Sequence, residues 1–481
     1  MNWFVTMLSI LLILNVALAF ILIFLERKDP SATWAWLMVL LLVPYLGFVL
    51  YLVLGQNLSR QKIFDTKTVE DQLIGKVLLE QLSYMENNEI IFNDEEMVNY
   101  QDMIRMQLIT DNSIFTQDNQ VEIFTDGIEK FEALLDAINK AEDHIHMLYY
   151  IIKNDSLSKK IIEALAKKAS EGVEVRLLYD ALGGRTLTKR FFRDLTKAGG
   201  KVASFFPSRI PLINLRVNYR NHRKLAIIDG KIGFIGGFNI GNEYIGLNKK
   251  MGYWRDTHLR IKGSAVHMMQ TRFFLDWHHA AKKKANYDIK YYPQIKTKGK
   301  TGIQIVSSGP DSEKEQIKHG YLKMINSARE SIYIQTPYFV PDQSILEALR
   351  IALLSGVDVR LMIPNRPDHP FVYWATYSYI GELIDAGVKA YTYENGFLHA
   401  KTMVVDGKIS SVGTANIDVR SFKLNFEVNA FIYDTETSVK LKEIFEEDLK
   451  FCHEITKEKY LNRSIIIKFK ESISRLLSPV L

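Results

Sequence analysis

The stretch Asn221-His222-Arg223-Lys224-Leu225-Ala226-Ile227-Ile228-Asp229-Gly230 decides the fold, because it returns as Leu398-His399-Ala400-Lys401-Thr402-Met403-Val404-Val405-Asp406-Gly407. Downstream, Gly236-Gly237-Phe238-Asn239 is answered by Gly413-Thr414-Ala415-Asn416, so the offsets from histidine to lysine, aspartate, glycine and asparagine are the same in both copies. On an extended strand, positions i and i+2 share a face. His222 and Lys224 therefore point one way, as do His399 and Lys401, an arrangement suited to gripping one phosphate. The apolar run after each lysine is what a strand buried on both faces requires. Asp229-Gly230 and Asp406-Gly407 are turn dipeptides joining that strand to the next. Asp229 and Asp406 stand with the catalytic candidates as motif members, although fixing this turn is the role favoured for them. One such motif is weak. Two with matching glycines and asparagines disfavour the alternatives, a pair of core histidines or a nucleic-acid-binding strand pair.

Working outward, the repeat extends beyond the motif. Ile145 to Tyr150 reads as a strand, Ser158 to Ala169 as a helix, and Gly172 to Leu178 as a second strand after a helix-ending glycine. The second copy runs Ile332 to Tyr338, Ser344 to Leu354 and Gly356 to Met362. An Ala-Gly turn (Ala198-Gly199; Ala386-Gly387) then leads to each motif. The first copy carries extra residues there, including Pro207 to Tyr219, a candidate part of a substrate channel. Strands alternating with helices define the fold class as α/β: two tandem duplicated α/β/α domains with buried sheets.

The amino terminus is different in kind. Trp3 to Leu25 is apolar except for Thr6, Ser9 and Asn15, and Trp34 to Leu54 carries no charge. Each run has about 20 residues, enough at roughly 1.5 Å per residue for a hydrocarbon core of about 30 Å. Together they read as a transmembrane helical hairpin. A cleaved signal peptide is disfavoured, because Met1-Asn2 is not basic and the run continues past Ala17-Leu18-Ala19. Arg60, Lys62 and Lys67 against Arg27 and Lys28 put both termini, narrowly, on the cytoplasmic side. Cys452 is the only cysteine, which excludes an internal disulfide. The net charge of +6 suits an anionic partner without identifying one. At the other end Ile466, Phe469, Ile473, Leu477 and Val480 recur at helical spacing, with Lys468, Ser472 and Arg475 around them. That pattern suits an amphipathic helix on anionic lipid, or one packed on the preceding domain. The expected divisions are a hairpin over 1–56, a connector over 57–119, domains over 120–300 and 301–460, and a final helix over 461–481.

The motif pair resembles the HKD signature of the phospholipase D superfamily. Its longer context is similar to the bacterial cardiolipin synthases: Asn221 through Gly237-Phe238-Asn239-Ile240-Gly241-Asn242-Glu243-Tyr244, then Tyr253 to Arg260, and Ile363 to Pro370. The resemblance covers essentially the whole chain. It implies two phospholipase D-like domains meeting at one active site, with one histidine forming a phosphohistidine and the other acting as acid and then base. His222 would be the nucleophile and His399 the acid–base. Lys224, Lys401, Asn239 and Asn416 would hold the phosphate oxygens. Asp256 would orient His222, and Glu427 would orient His399. Two phosphatidylglycerol molecules would give cardiolipin and glycerol at a bacterial cell membrane, with no cofactor, no metal and no nucleic acid. His278-His279 are too close in sequence to suggest a metal site. Phe371-Val372-Tyr373-Trp374, Tyr377 and Tyr338-Phe339 are candidates for lining the lipid path, although core packing is expected for most. The rival readings are a phospholipase D or another phosphatidyltransferase, and a membrane-anchored nuclease. The nuclease is weakened because the chain's basic clusters, Lys282-Lys283-Lys284 and Lys296 to Lys300, are not interleaved with aromatics.

Overall fold

The computed structural model describes residues 2–24, 30–43, 46–47, 51, 75–207, 218–282 and 288–478. They fall into two compact units: one of residues 1–62, 207–219 and 310–313, the other of residues 63–206, 220–309 and 314–481.

In the larger unit the duplication becomes a single sheet. The first copy contributes β1 (Thr116–Phe124), β2 (His144–Tyr149), β3 (Glu174–Asp180), β4 (Lys201–Phe205), β5 (Lys224–Ile228), β6 (Ile232–Gly236) and β7 (His258–Lys262). The second contributes β8 (Thr301–Ser308), β9 (Ser331–Gln335), β10 (Asp358–Pro364), β11 (Lys389–Tyr393), β12 (Thr402–Val405), β13 (Ile409–Gly413) and β14 (Asn425–Tyr433). Their order across the sheet is β11-β10-β9-β12-β13-β14-β8-β1-β7-β6-β5-β2-β3-β4, symmetric once copy is exchanged for copy, and only the short strand Cys452–Glu454, antiparallel beside β11, breaks the symmetry among the described strands. The halves join where β1 pairs antiparallel with β8. Each half has three parallel strands (β2-β3-β4; β9-β10-β11) linked through helices, while its motif strand, β5 or β12, is inserted antiparallel beside β2 or β9.

Local chemistry supports these elements. Asp155 caps the helix Ser156–Ser170 by accepting from Ser158 N, and Asp342 caps Gln343–Leu354 by accepting from Ile345 N. Motif strands β5 and β12 are buried at every position, as expected for a strand covered on both faces. Asp229 and Gly230 have φ of 53° and 63°, and Asp406 and Gly407 have 54° and 65°. Both turns therefore use the left-handed conformation that matches the twist of a hairpin.

The connector over 57–119 differs from expectation where it is described. Met85, Phe92, Met97, Tyr100, Met103, Ile104 and Leu108 are buried in the same core as Ile317, Ile332 and Phe431 of the second half. Tyr433 Oη donates to Gln107 Oε1 at 3.0 Å, and Gln304 Nε2 donates to Ile104 O at 3.1 Å. This segment is part of the second domain's core, because its apolar side chains find their partners there.

The carboxy-terminal helix Ile465–Leu476 packs on the helix Pro370–Ile384 with its polar side inward. Glu471 and Ser474 are buried, and Glu471 holds Arg463 at 2.7 Å. Ile465, Ile466, Phe469 and Leu476 are exposed.

In the smaller unit, Asn2–Phe24 and Pro30–Leu42 are helical, with Leu18, Leu40 and Tyr51 packed together. Among the described residues the expected pair of membrane-spanning helices is not reproduced, and part of the second expected span, residues 44–45, 48–50 and 52–54, lies outside them. Pro30–Leu42 has 13 residues, about 20 Å of helix, and among the described residues no helix is long and apolar enough to cross a membrane. The inter-helix loop, Arg60, Lys62, Lys67, Val480, Lys283-Lys284 and most of the Pro207–Tyr219 insertion lie outside the described residues.

Candidate active site

Each motif is docked on the other half of the duplication. Arg220–Asn221 runs parallel to Asn425–Phe426, and the His222 amide donates to Phe426 O at 2.9 Å. Phe397–Leu398 likewise runs parallel to Trp254–Arg255, and the His399 amide donates to Arg255 O at 2.7 Å. Buried ion pairs hold these crossings. Arg223 donates to Asp276 at 2.9 and 3.0 Å and to the Glu427 and Ser308 carbonyls. Arg255 donates through Nε to Asp448 at 2.9 and 3.0 Å.

The residue after each docking strand is a carboxylate, and its partner corrects the sequence-based pairing. His222 Nδ1 lies 2.9 and 3.0 Å from the two oxygens of Glu427, and His399 Nδ1 lies 2.6 Å from Asp256 Oδ2. The expected pairs, Asp256 with His222 and Glu427 with His399, are exchanged. The cause is the parallel crossing: each histidine is hydrogen-bonded to the strand that carries the opposite half's carboxylate. Nδ1–H donated to a carboxylate leaves Nε2 as the free nitrogen.

The carboxylates are supported differently. Glu427 also accepts from Thr414 Oγ1 at 2.6 Å and from Asn425 Nδ2 at 3.3 Å. Asp256 accepts from the Thr257 amide at 2.7 Å and packs against Gly237, where a Cβ would lie 2.0 Å from Oδ1. Burial alone would raise both acids. The charges on His222 and Lys224, and on Lys401 and His399, outweigh it and hold both below the ordinary carboxylate range. Burial lowers each histidine to about 4, with Lys224 and Lys401 adding to the shift and the carboxylates opposing it. Burial also lowers Lys224 to about 7 and Lys401 to about 8. Each ammonium donates to the carbonyl of its own motif histidine.

His222, His399, Asn239 and Asn416 line one cleft of ≈ 690 Å³. Asn239 Oδ1 accepts from the Ile151 amide at 3.0 Å, and Asn416 Nδ2 donates to Asp418 Oδ2 at 3.1 Å. Asp229 and Asp406 are not in the cleft, so grouping them with the catalytic residues is corrected. They sit at the far ends of β5 and β12. Asp229 accepts from the amides of Glu142, Asp143 and His144 at 2.8–3.2 Å, and Asp406 from those of Arg329, Glu330 and Ser331 at 2.8 Å. Each ties the turn after its motif strand to the start of the neighbouring parallel strand. Of the aromatic candidates, Phe371 and Tyr338 line the cleft with Val372, whereas Phe339 is fully buried. Tyr373, Trp374 and Tyr377 face a separate groove beside Tyr460 and Ile467.

The cleft also contains residues the motif did not indicate: Arg220, Tyr150, Asp418, Arg420, Asp368 and His369. The Tyr150 ring meets His222 edge-on at 4.9 Å, and burial lifts Asp418 to about 6. A signal for two of these was present in the repeat. Asp418 and Arg420 stand where the first copy has Gly241 and Glu243.

Two histidine–carboxylate pairs and two lysines are thus built reciprocally from tandem α/β halves, the arrangement that the resemblance to the phospholipase D superfamily implies. Similar proteins agree. The family described as cardiolipin synthase, PLD-like domain, matches residues 134–275 and 321–449, and a phospholipase D-nuclease N-terminal family matches 13–56. A cardiolipin synthase of Listeria monocytogenes (strain F2365) is 57% identical over 99% of both chains. The major cardiolipin synthase ClsA of Bacillus subtilis (strain 168) is also 57% identical over 99% of each. Among solved structures, the phosphatidylserine synthase of Haemophilus influenzae shares the fold at 14% identity, with a TM-score of 0.59 over 79% of this chain and all of that one. The chain belongs to the bacterial cardiolipin synthase family of the phospholipase D superfamily.

Proposed function

We propose that this protein is a phosphatidyltransferase that converts two phosphatidylglycerol molecules into cardiolipin and glycerol through a phosphohistidine. The observation that carries the mechanism is the reciprocal pairing of His222 with Glu427 and His399 with Asp256 around one cleft. Nε2 of one histidine attacks the phosphorus of the donor lipid. The bond to the glycerol oxygen breaks, and the other histidine gives that oxygen its proton. The now neutral second histidine takes the proton of the acceptor's glycerol hydroxyl, whose oxygen displaces the first histidine. One phosphodiester replaces another, so no nucleotide is consumed. By family resemblance His222 attacks and His399 handles the proton.

Electrostatics supports this order. Burial, with the lysine charges adding to it, holds both histidines well below the ordinary imidazole range. A bound phosphodiester anion offsets the two ammonium charges, which raises the histidines and lets the acid partner carry its proton.

The same reading places residues 1–56 in the bilayer as a hairpin, supported by two uncharged runs of about membrane length, with the catalytic halves on the cytoplasmic side. It also lays the outward face of Ile465–Leu476 on anionic lipid. Ile465, Ile466, Phe469 and Leu476 are exposed there, Lys468 and Lys470 flank them, and Phe371, also exposed, lines the cleft. The decisive assay incubates purified protein with labelled phosphatidylglycerol. Cardiolipin plus glycerol is expected; phosphatidic acid alone would make the protein a hydrolase.

A further inference from the structure

The reacting centre is duplicated, but its rim is not. Before the histidines, Arg220-Asn221 in the first copy stands against Phe397-Leu398 in the second. After the asparagines, Gly241-Asn242-Glu243 stands against Asp418-Val419-Arg420. Two arginines, one from each copy, therefore occupy positions whose counterparts are a phenylalanine and a glutamate. Both line the cleft. Arg220 is 2% exposed and is oriented by Asp180, which accepts from Nη1 at 3.1 Å and from the Asn221 amide at 2.9 Å. Arg420 lies close enough for its charge to act on Arg220, Tyr150, Asp418 and Glu427, and both arginines act on Tyr150, the residue against His222. Beside them, Asn416 and Asn425 have buried side-chain oxygens that accept no hydrogen bond among the described residues, and both residues line the same cleft.

The charge count gives this asymmetry a purpose. Lys224 and Lys401 can neutralise the phosphate undergoing transfer. A phosphatidylglycerol acceptor brings a second phosphodiester anion that does not react, whereas water or free glycerol brings none. A planar guanidinium matches such an anion with paired donors. We infer that Arg220 and Arg420 form the subsite for the acceptor lipid's phosphate, and that the Asn416 and Asn425 side-chain oxygens receive its glycerol hydroxyls. The cleft would then select a phosphate-bearing alcohol over water. This rests on the phosphatidyl-transfer reading above.

The test compares two reactions of the full-length protein in phosphatidylglycerol vesicles: cardiolipin formation, and exchange of the lipid headgroup with radiolabelled free glycerol. Exchange uses the same donor chemistry with an acceptor that carries no phosphate. Arg420→Gln should lower cardiolipin formation about 10- to 100-fold more than exchange, the scale of a lost charged hydrogen bond. Arg420→Lys, which keeps the charge but not the fork, should reduce that ratio by a smaller factor. Equal losses in both reactions by a variant that melts like the parent, or no loss in either, would overturn the subsite. If Arg420→Gln does not fold, an unchanged ratio in Arg420→Lys and in Arg220→Lys overturns it instead. Neither reaction in the parent protein would mean that the transfer reading itself is wrong.

Discussion

The two halves of this chain hold the same histidine, lysine and asparagine at the same offsets, yet they support them by different means. Glu427, supplied by the second half, is held by the Thr414 hydroxyl and the Asn425 amide. Asp256, supplied by the first, is shorter and is held by a backbone amide and by contact with Gly237, the residue that replaces Thr414 in the repeat. A longer side chain with a hydroxyl partner and a shorter one with the backbone close behind it reach the same geometry at Nδ1. The comparison separates what the chemistry requires, a carboxylate on Nδ1 and an ammonium two residues along, from what each half could vary.

The harshest way to break the comparison is to remove one histidine. His222→Ala and His399→Ala should each lower cardiolipin formation by about 10⁴-fold or more in the labelled-lipid assay, as in other sites whose groups act as a unit. Substantial activity in either variant would refute the shared centre. Next come the carboxylates. Asp256→Asn and Glu427→Gln should each reduce turnover by roughly 10²- to 10⁴-fold, the scale of losing the acid that fixes a histidine tautomer. Nitrogen NMR of the imidazoles provides the sharper readout. Asp256→Asn should shift His399 and leave His222 nearly unmoved, with Glu427→Gln doing the reverse.

The lysines predict a pH effect with a definite sign. At about 7 and 8, Lys224 and Lys401 lose their protons as pH rises through that range, removing the charge that the proposed mechanism sets against the phosphate. kcat/KM should therefore fall above pH 7–8. In Lys224→Arg the alkaline fall should move upward, because the guanidinium stays charged, even if the maximum rate is lower. The smallest effect belongs to the turn aspartates. Asp229→Asn and Asp406→Asn should each destabilise the fold by about 1–3 kcal/mol through weakened amide contacts. A thermal melt should show the loss while the fraction that stays folded keeps most of its activity. A large drop in kcat with an unchanged melt would return these residues to the reacting centre.

Much of this was legible in the chain. Motif strands and their turns follow from local rules: alternate residues share a face, apolar runs fill a covered strand, and Asp-Gly accepts left-handed backbone. The crossed pairing of Asp256 and Glu427 was not legible, since nothing in a linear spacing says which half a strand docks on. Nor was the membership of Met103, Ile104 and Leu108 in the second half's core, which depends on partners such as Ile317 and Phe431 far along the chain. Arg220 and Arg420 were visible only as breaks in the repeat, and it is the cleft that gives those breaks a shared location.

The exchange of carboxylates across the duplication also bears on descent. A two-fold symmetric dimer in which each subunit lent its acid to its neighbour's histidine would have the same layout, with β1 and β8 at its axis. Fusing two such subunits lets the copies diverge without ever becoming spares. Because each histidine depends on the opposite copy, an intact half cannot mask damage to its twin, and selection must act on both at once.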